Sequence, residues 1–246
     1  MRGPYVDYAS RGAAVGRVGC VFLTAVLCLL GLHNPLKAQH AGLPVDHSPT
    51  HRRVVGGHLD FGQSGGFAGT GTLRSLGVRG HVAEGHYQLL VGVHSVSPEA
   101  NGLEAGIGLG ATVALQLESA QPLRTSNVQA GFGIVRLDRE AGGSVTMIDL
   151  PVSLAVGLDV PTRAGTAEAW IAPRVHVRHL EISRSDAIDD GTRVGAGAST
   201  GLRFTFDDAH AGFGLALDGM GLRDPQDDGW RFIAAFGLSL HLLLDW

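Results

Sequence analysis

The chain closes on Phe236-Gly237-Leu238-Ser239-Leu240-His241-Leu242-Leu243-Leu244-Asp245-Trp246. Every second residue, Phe236, Leu238, Leu240, Leu242, Leu244 and Trp246, is large and apolar. Between them stand Gly237, Ser239, His241, Leu243 and Asp245, which are mostly small or polar. Side chains of an extended strand alternate between two faces, so the pattern predicts one apolar face and one wet face. Soluble proteins seldom finish on an entirely apolar strand face capped by an aromatic residue.

The same period runs upstream. From Ile148 to Val160 the even positions Ile148, Leu150, Val152, Leu154, Val156, Leu158 and Val160 are aliphatic. Asp149, Pro151, Ser153, Ala155, Gly157 and Asp159 oppose them. Leu103 to Glu118 and Val194 to Phe206 alternate in the same way. Weaker segments lie at about 86–96, 125–138, 166–181 and 209–219, before the last strand at 230–246. These make eight strands. The alternative is ten, if a glycine-rich hairpin at about 66–84 turns near Arg74 and Ser75. Residues 39–65 carry turn formers, His and Pro without clear periodicity and read as a periplasmic leader.

The front end points to export. Arg2, Arg11 and Arg17 precede the apolar run Val18–Leu32, and Leu36-Lys37-Ala38 follows. A basic start, an apolar run of this kind and a small residue at the cut describe a secretory signal peptide, with cleavage after Ala38. The run is shorter than the roughly 20 residues of a spanning helix. Both cysteines, Cys20 and Cys28, lie inside it, so the mature chain has no thiol for disulfides or metal sites. Neither has the small-residue context of a lipoprotein site. Loss of residues 1–38 removes three Arg, one Lys and one Asp, moving the formal charge from −4 to −7. An acidic chain of this kind gives no electrostatic case for nucleic acid.

The connectors alternate in length. With the C-terminus on the periplasmic side, 161–165 and 207–208 form short turns there and 119–124 a slightly longer one. The opposite end receives 97–102, 138–143, 182–191 and 220–229, which are longer and more acidic. This is the asymmetry of outer-membrane barrels. Pro151 and Pro173 fall within strands, where a missing N–H interrupts a ladder, and bulges are the expected accommodation.

With its signal segment, alternation and aromatic terminus, the stretch from Gly66 to Trp246 resembles the small bacterial outer-membrane β-barrel superfamily of membrane-anchor and opacity-type proteins. The resemblance implies an all-β fold: an antiparallel up-and-down transmembrane β-barrel of eight strands, or ten. It divides the chain into a signal peptide (1–38), a leader (39–65) and a barrel (66–246). It also implies an outer-membrane location, contact with outer-membrane lipid, and engagement of the barrel-assembly machinery through the C-terminal strand. Departures are a terminal Trp in place of the commoner Phe and an aromatic content of only 6%.

If the apolar positions face lipid, the opposite faces line the interior. That face carries Asp149, Glu168, Arg174, His176, Arg178, Arg193, Arg203 and His241, together with Glu104, Gln116, Glu118, Asp159, Asp218 and Arg231. Opposite charges in a narrow lumen are expected to pair, because buried charges need partners. Folding 148–160 onto 166–181 about Pro161–Gly165 brings Asp149 to Arg178 and His176. A polar pore is the other reading of the same residues.

Other chemistry has less support. Ser153, Ser199, His176 and Asp149 supply the residue types of a hydroxyl-nucleophile triad, but nothing in their spacing assembles one. His176 and His179, three apart in a strand, point to opposite faces and cannot share a metal. The Asp-rich loops before Gly191 and Gly229 lack calcium-loop spacing. Gly106-Ile107-Gly108-Leu109-Gly110 continues the strand period and opens no helix, so it is no phosphate loop. No cofactor, metal or catalytic residue is assigned. The expectation is a monomeric, non-enzymatic barrel that is structural, surface-interacting or weakly pore-forming. The alternatives are a lipid-modifying enzyme in the same barrel, a small-solute channel, and a soluble secreted β-sandwich.

Overall fold

The computed structural model describes residues 54–65, 71–117, 124–183, 191–223 and 229–245, all within the compact unit Leu36–Trp246. The signal segment, Glu118, the Asp-rich loops at 184–190 and 224–228, and Trp246 lie outside the described residues. Ten strands follow in chain order: β1 (Val54–Gly65), β2 (Thr72–Glu84), β3 (Tyr87–Pro98), β4 (Gly106–Gln116) and β5 (Arg124–Asp138), then β6 (Ser144–Pro161), β7 (Gly165–Ile182), β8 (Gly191–Phe206), β9 (Ala211–Arg223) and β10 (Trp230–Asp245). Each pairs antiparallel with its chain neighbours, and β1 pairs with β10, closing an up-and-down barrel.

The all-β barrel is as expected; the count is ten, the alternative, and not eight. Two boundaries move with it. The first strand, Val54–Gly65, lies inside the stretch assigned to the leader, so the barrel begins twelve residues before Gly66. No hairpin turns at Arg74 and Ser75, since both lie within the continuous strand β2. The reason is the outward face of β1, where Gly57 and Gln63 dilute the apolar row of Val55, Leu59 and Phe61. The period is present but its amplitude is low.

The strands are strongly staggered. From Val54 the register crosses Ala83, Gln88, Ala114, Gln129, Ser153, Arg174, Gly197 and Met220 to reach Ile233 on β10. Yet Val54 itself sits beside Asp245 across the seam. A circuit that climbs from Asp245 to Ile233 requires tilted strands, as closure of any barrel does. Between β2 and β3 the chain turns in two residues, with Gly85 at φ +58° in the first position, the position glycine takes in II′ hairpins.

Neither proline sits in a bulge, which corrects the expectation. The β5–β6 ladder passes from Ala130↔Val152 to Gly133↔Asp149, and the β6–β7 ladder from Ser153↔Arg174 to Val156↔Ile171, with register unchanged across each gap. Pro151 keeps its pairing with His176, and Pro173 keeps Ala198. Each proline therefore interrupts one neighbour only, the one its missing N–H would face. Pro173→Val restores a donor toward β6. Its expected result is slower amide exchange around Leu154 and a gain of up to about 1 kcal/mol. Faster exchange there would show that the strand needs the ring itself.

The two faces differ sharply. Outward stand Leu154 at 42% exposure, Val175 at 57% and Phe236 at 50%, with other large apolar side chains from every strand. Inward, the wall is layered. At the loop end Leu73, Val96, Val135, Leu137, Val145, Met147 and Leu180 form an apolar cluster, and Met220, Leu222 and Ile233 a second one. At the end carrying the termini, Val54, Ala83 and Leu243 form a third. A further inward cluster joins Ala155, Trp170, Ala172 and Ala216, and the ionic side chains share these inward faces.

Candidate functional site

The site is the polar middle of the lumen. Strand phase alone puts Asp149, Glu168, Arg174, His176, Arg178, Arg193 and His241 inside, all buried, and Arg203 nearly so. Of the other interior candidates, Asp218 is buried, Gln116 and Asp159 are half-buried, and Glu104 and Arg231 are exposed at the loop end.

Asp149 and Arg178 are register partners on β6 and β7. Arg178 Nη2 donates to Asp149 Oδ2 at 3.0 Å, and His176 Nδ1 lies 3.1 Å from Asp149 Oδ1. Asp149 has 0% exposure and Arg178 2%. Burial at that level demands pairing, since desolvating a lone charge costs several kcal/mol. Arg178 Nη1 also lies 3.7 Å from Met220 Sδ, at the foot of the apolar roof.

Arg174 reaches further. Its Nη2 donates to both carboxylate oxygens of Asp218 on β9, and its Nη1 donates to Ser199 Oγ at 2.8 Å. The intervening strand β8 presents Gly197 opposite Arg174, so the side chain crosses it unobstructed. On the termini side Arg203 Nη2 meets Glu168 Oε2 at 2.6 Å. Arg193 is the register partner of Arg178 and shares this interior.

Two features escaped the sequence reading. Arg79 on β2 grips Asp60 on β1 through two hydrogen bonds, Nε to Oδ2 at 2.5 Å and Nη2 to Oδ1 at 2.8 Å. His58 and His81 join His241 in a row of buried imidazoles across β2, β1 and β10. The His58 centroid lies 5.6 Å from that of His81 and 5.7 Å from that of His241. The signal that locates them is the alternation of β1, weak as it is: His58 and Asp60 are its inward residues.

Interior glycines make room for large side chains. A Cβ on Gly108 would sit 2.1 Å from His94 Nε2, and one on Gly201 2.4 Å from the Trp170 ring. Gly108, in the run that imitates a nucleotide motif, is thus a wall position that leaves room for the His94 ring. Ser153 bonds Gln129 at 3.4 Å and Ser199 bonds Arg174, so neither hydroxyl is set against His176. His176 faces inward, while the exposed His179 bonds Thr192 at 3.0 Å on the outer face. Among the described residues no cluster of three or more His, Cys, Asp or Glu is arranged to hold a metal.

The lumen therefore holds fixed charge in pairs. Beside Trp170, a cavity of about 10 Å³ is bounded by Gly214, Ala216, Gly237 and Ser239. That is about the room one water molecule needs.

No family model matches the chain, and no curated protein matches it significantly. Among solved structures it is similar to the translocator domain of the autotransporter NalP from Neisseria meningitidis, at 15% identity and a TM-score of 0.41, over 97% of this chain and 99% of that one.

Proposed function

We propose that this chain is a bacterial outer-membrane barrel with a closed lumen, a structural and surface-presenting protein, not an open pore. The supporting observation is its inverted polarity. Leu154, Val175, Phe236 and their neighbours stand exposed outside, while Asp149, Arg174 and Arg178 are buried inside. Water solvates neither arrangement well; a hydrocarbon surround suits the first, and ion pairing the second. Strands of 11 to 18 residues are long enough to cross when tilted.

On this reading the signal segment directs export, and β10 engages the assembly machinery. The barrel stands as a monomer in outer-membrane lipid. The buried ion pairs favour closure over conduction, since their side chains occupy the lumen and are committed to one another. Catalysis is left out of the reading because the hydroxyls of Ser153 and Ser199 are engaged away from His176.

Membrane fractionation with gel migration before and after heating tests it. The expected outcome is recovery with the outer membrane, with an unheated band that migrates as a compact form. Recovery in the soluble periplasm would overturn the reading. In planar bilayers the expected trace is quiet, and steady conductance steps at neutral pH would replace the closed barrel with a channel.

A further inference from the structure

The apolar cluster at the loop end is met from the rim by a residue whose own sequence phase would send it outside. Along the chain Leu103 shares the parity of Ile107 and Leu109, both exposed on the outer face. The ladder breaks that parity. Ile107 pairs with Arg136 on β5, but Leu103 pairs with Arg139. Four residue steps on one side therefore oppose three on the other, which is a β-bulge. One extra residue exchanges the two faces beyond it. Leu103 accordingly packs, half-buried, against the inward cluster that includes Leu73, Val96, Leu137 and Leu180, while Glu104 stays exposed beside it. Gly102, at φ +85°, makes the turn just before.

Residues 99–105 join β3 to β4 as a strap along this rim. At one end the Glu99 amide donates to the Thr72 carbonyl at 2.8 Å, and Arg74 Nη2 donates to Glu99 Oε1 at 2.6 Å. At the other, the Glu104 amide donates to the Asp138 carbonyl at 2.9 Å, and the Glu140 amide to the Gly102 carbonyl at 3.1 Å. The Arg74–Glu99 pair is exposed, and surface ion pairs hold weakly. The strands beneath are paired on both sides. Segments tied by a few surface hydrogen bonds are where folded proteins open locally. What the strap meets also departs from the polar interior of most such barrels. This layer is aliphatic on β2, β3, β5, β6 and β7.

We propose that the 99–105 strap is a lid on the loop-end mouth, and that Leu103 is the group that shuts it. Closed, it keeps water out of the aliphatic layer. Released from its anchors on β2 and β5, it opens that layer to the outer side and leaves the strand ladders intact. The proposal deepens the closed-lumen reading and rests on it.

The test uses the full chain refolded in zwitterionic detergent. Its two cysteines, Cys20 and Cys28, are replaced by serine so that a reporter is the sole thiol. Val96→Cys, close in size, places that reporter in the buried layer. A charged, water-soluble maleimide reacts with it only where water reaches the sulfur. Labelling of the folded barrel is expected to be slow beside that of the same chain in urea. Adding Leu103→Ser should speed it about tenfold while the unheated band still migrates as a compact form. Leu103→Met in its place should restore the slow rate. Rapid labelling in the folded barrel with Leu103 present overturns the lid, as does a rate that Leu103→Ser leaves unchanged. If Leu103→Ser does not fold, the decision passes to reporters on the strap itself. Leu103→Cys labelling several-fold more slowly than Glu104→Cys supports the lid, and equal rates overturn it. Compact migration scores the barrel and the labelling rate scores the lid, so the two readings fail separately.

Discussion

Replacing Asp149 with alanine is expected to destabilise the barrel by about 3–5 kcal/mol, the usual cost of breaking a buried ion pair by removing one partner. The carboxylate accepts from Arg178 Nη2 and lies within hydrogen-bond reach of His176 Nδ1, with no exposure to solvent. Its removal leaves Arg178 in the same dry layer without that acceptor. Urea unfolding of the refolded barrel in lipid vesicles, followed by tryptophan fluorescence, measures the loss. The double variant Asp149→Leu with Arg178→Met should lose far less, because both charges go together. If the single and double variants are equally unstable, what matters at this layer is packing, and the ion pair is incidental.

The second large effect is expected on the other face. Leu154 lies midway along the outward apolar run of β6, from Ile148 to Leu158. In a bilayer Leu154→Arg should cost about 2–4 kcal/mol, whereas Thr146→Arg, nearer the loop end of the same face, should cost about 0–1 kcal/mol. The same unfolding measurement in vesicles reads both. A water-soluble barrel predicts otherwise, since substitutions on a solvated surface usually stay within about 0.5 kcal/mol. Equal, small effects at the two positions would therefore remove the membrane from the interpretation.

How much of this was legible differs strand by strand. In β6 and β7 the alternation is strong, and the turn between them is short, so both the inward phase and the Asp149–Arg178 pairing follow from the sequence. The Arg203–Glu168 pair joins β8 to β7, adjacent strands whose phase was also legible. The Arg174–Asp218 pair was not, because it spans β7 to β9 across Gly197, and no local turn relates the two. β1 was misread as leader because half of its outward face is glycine or polar. That error hid Asp60 and His58, and with them the Arg79–Asp60 ion pair and the contacts of His58 with His81 and His241.

The closing stretch from Phe236 shows the division. Alternation by itself determined that Phe236, Leu240, Leu242 and Leu244 share an outward face, and the structure exposes all four. It also determined that Ser239 and His241 point inward, because successive side chains must leave an extended backbone on opposite sides. Only the tertiary structure decided what they meet there. His241 faces His58 because closure brings the first strand against the last, a contact with nearly the whole barrel between its partners in sequence. Phase is a local property of the backbone, written every two residues. Strand number, stagger and seam are properties of the closed ring, fixed only when all ten strands agree on one register.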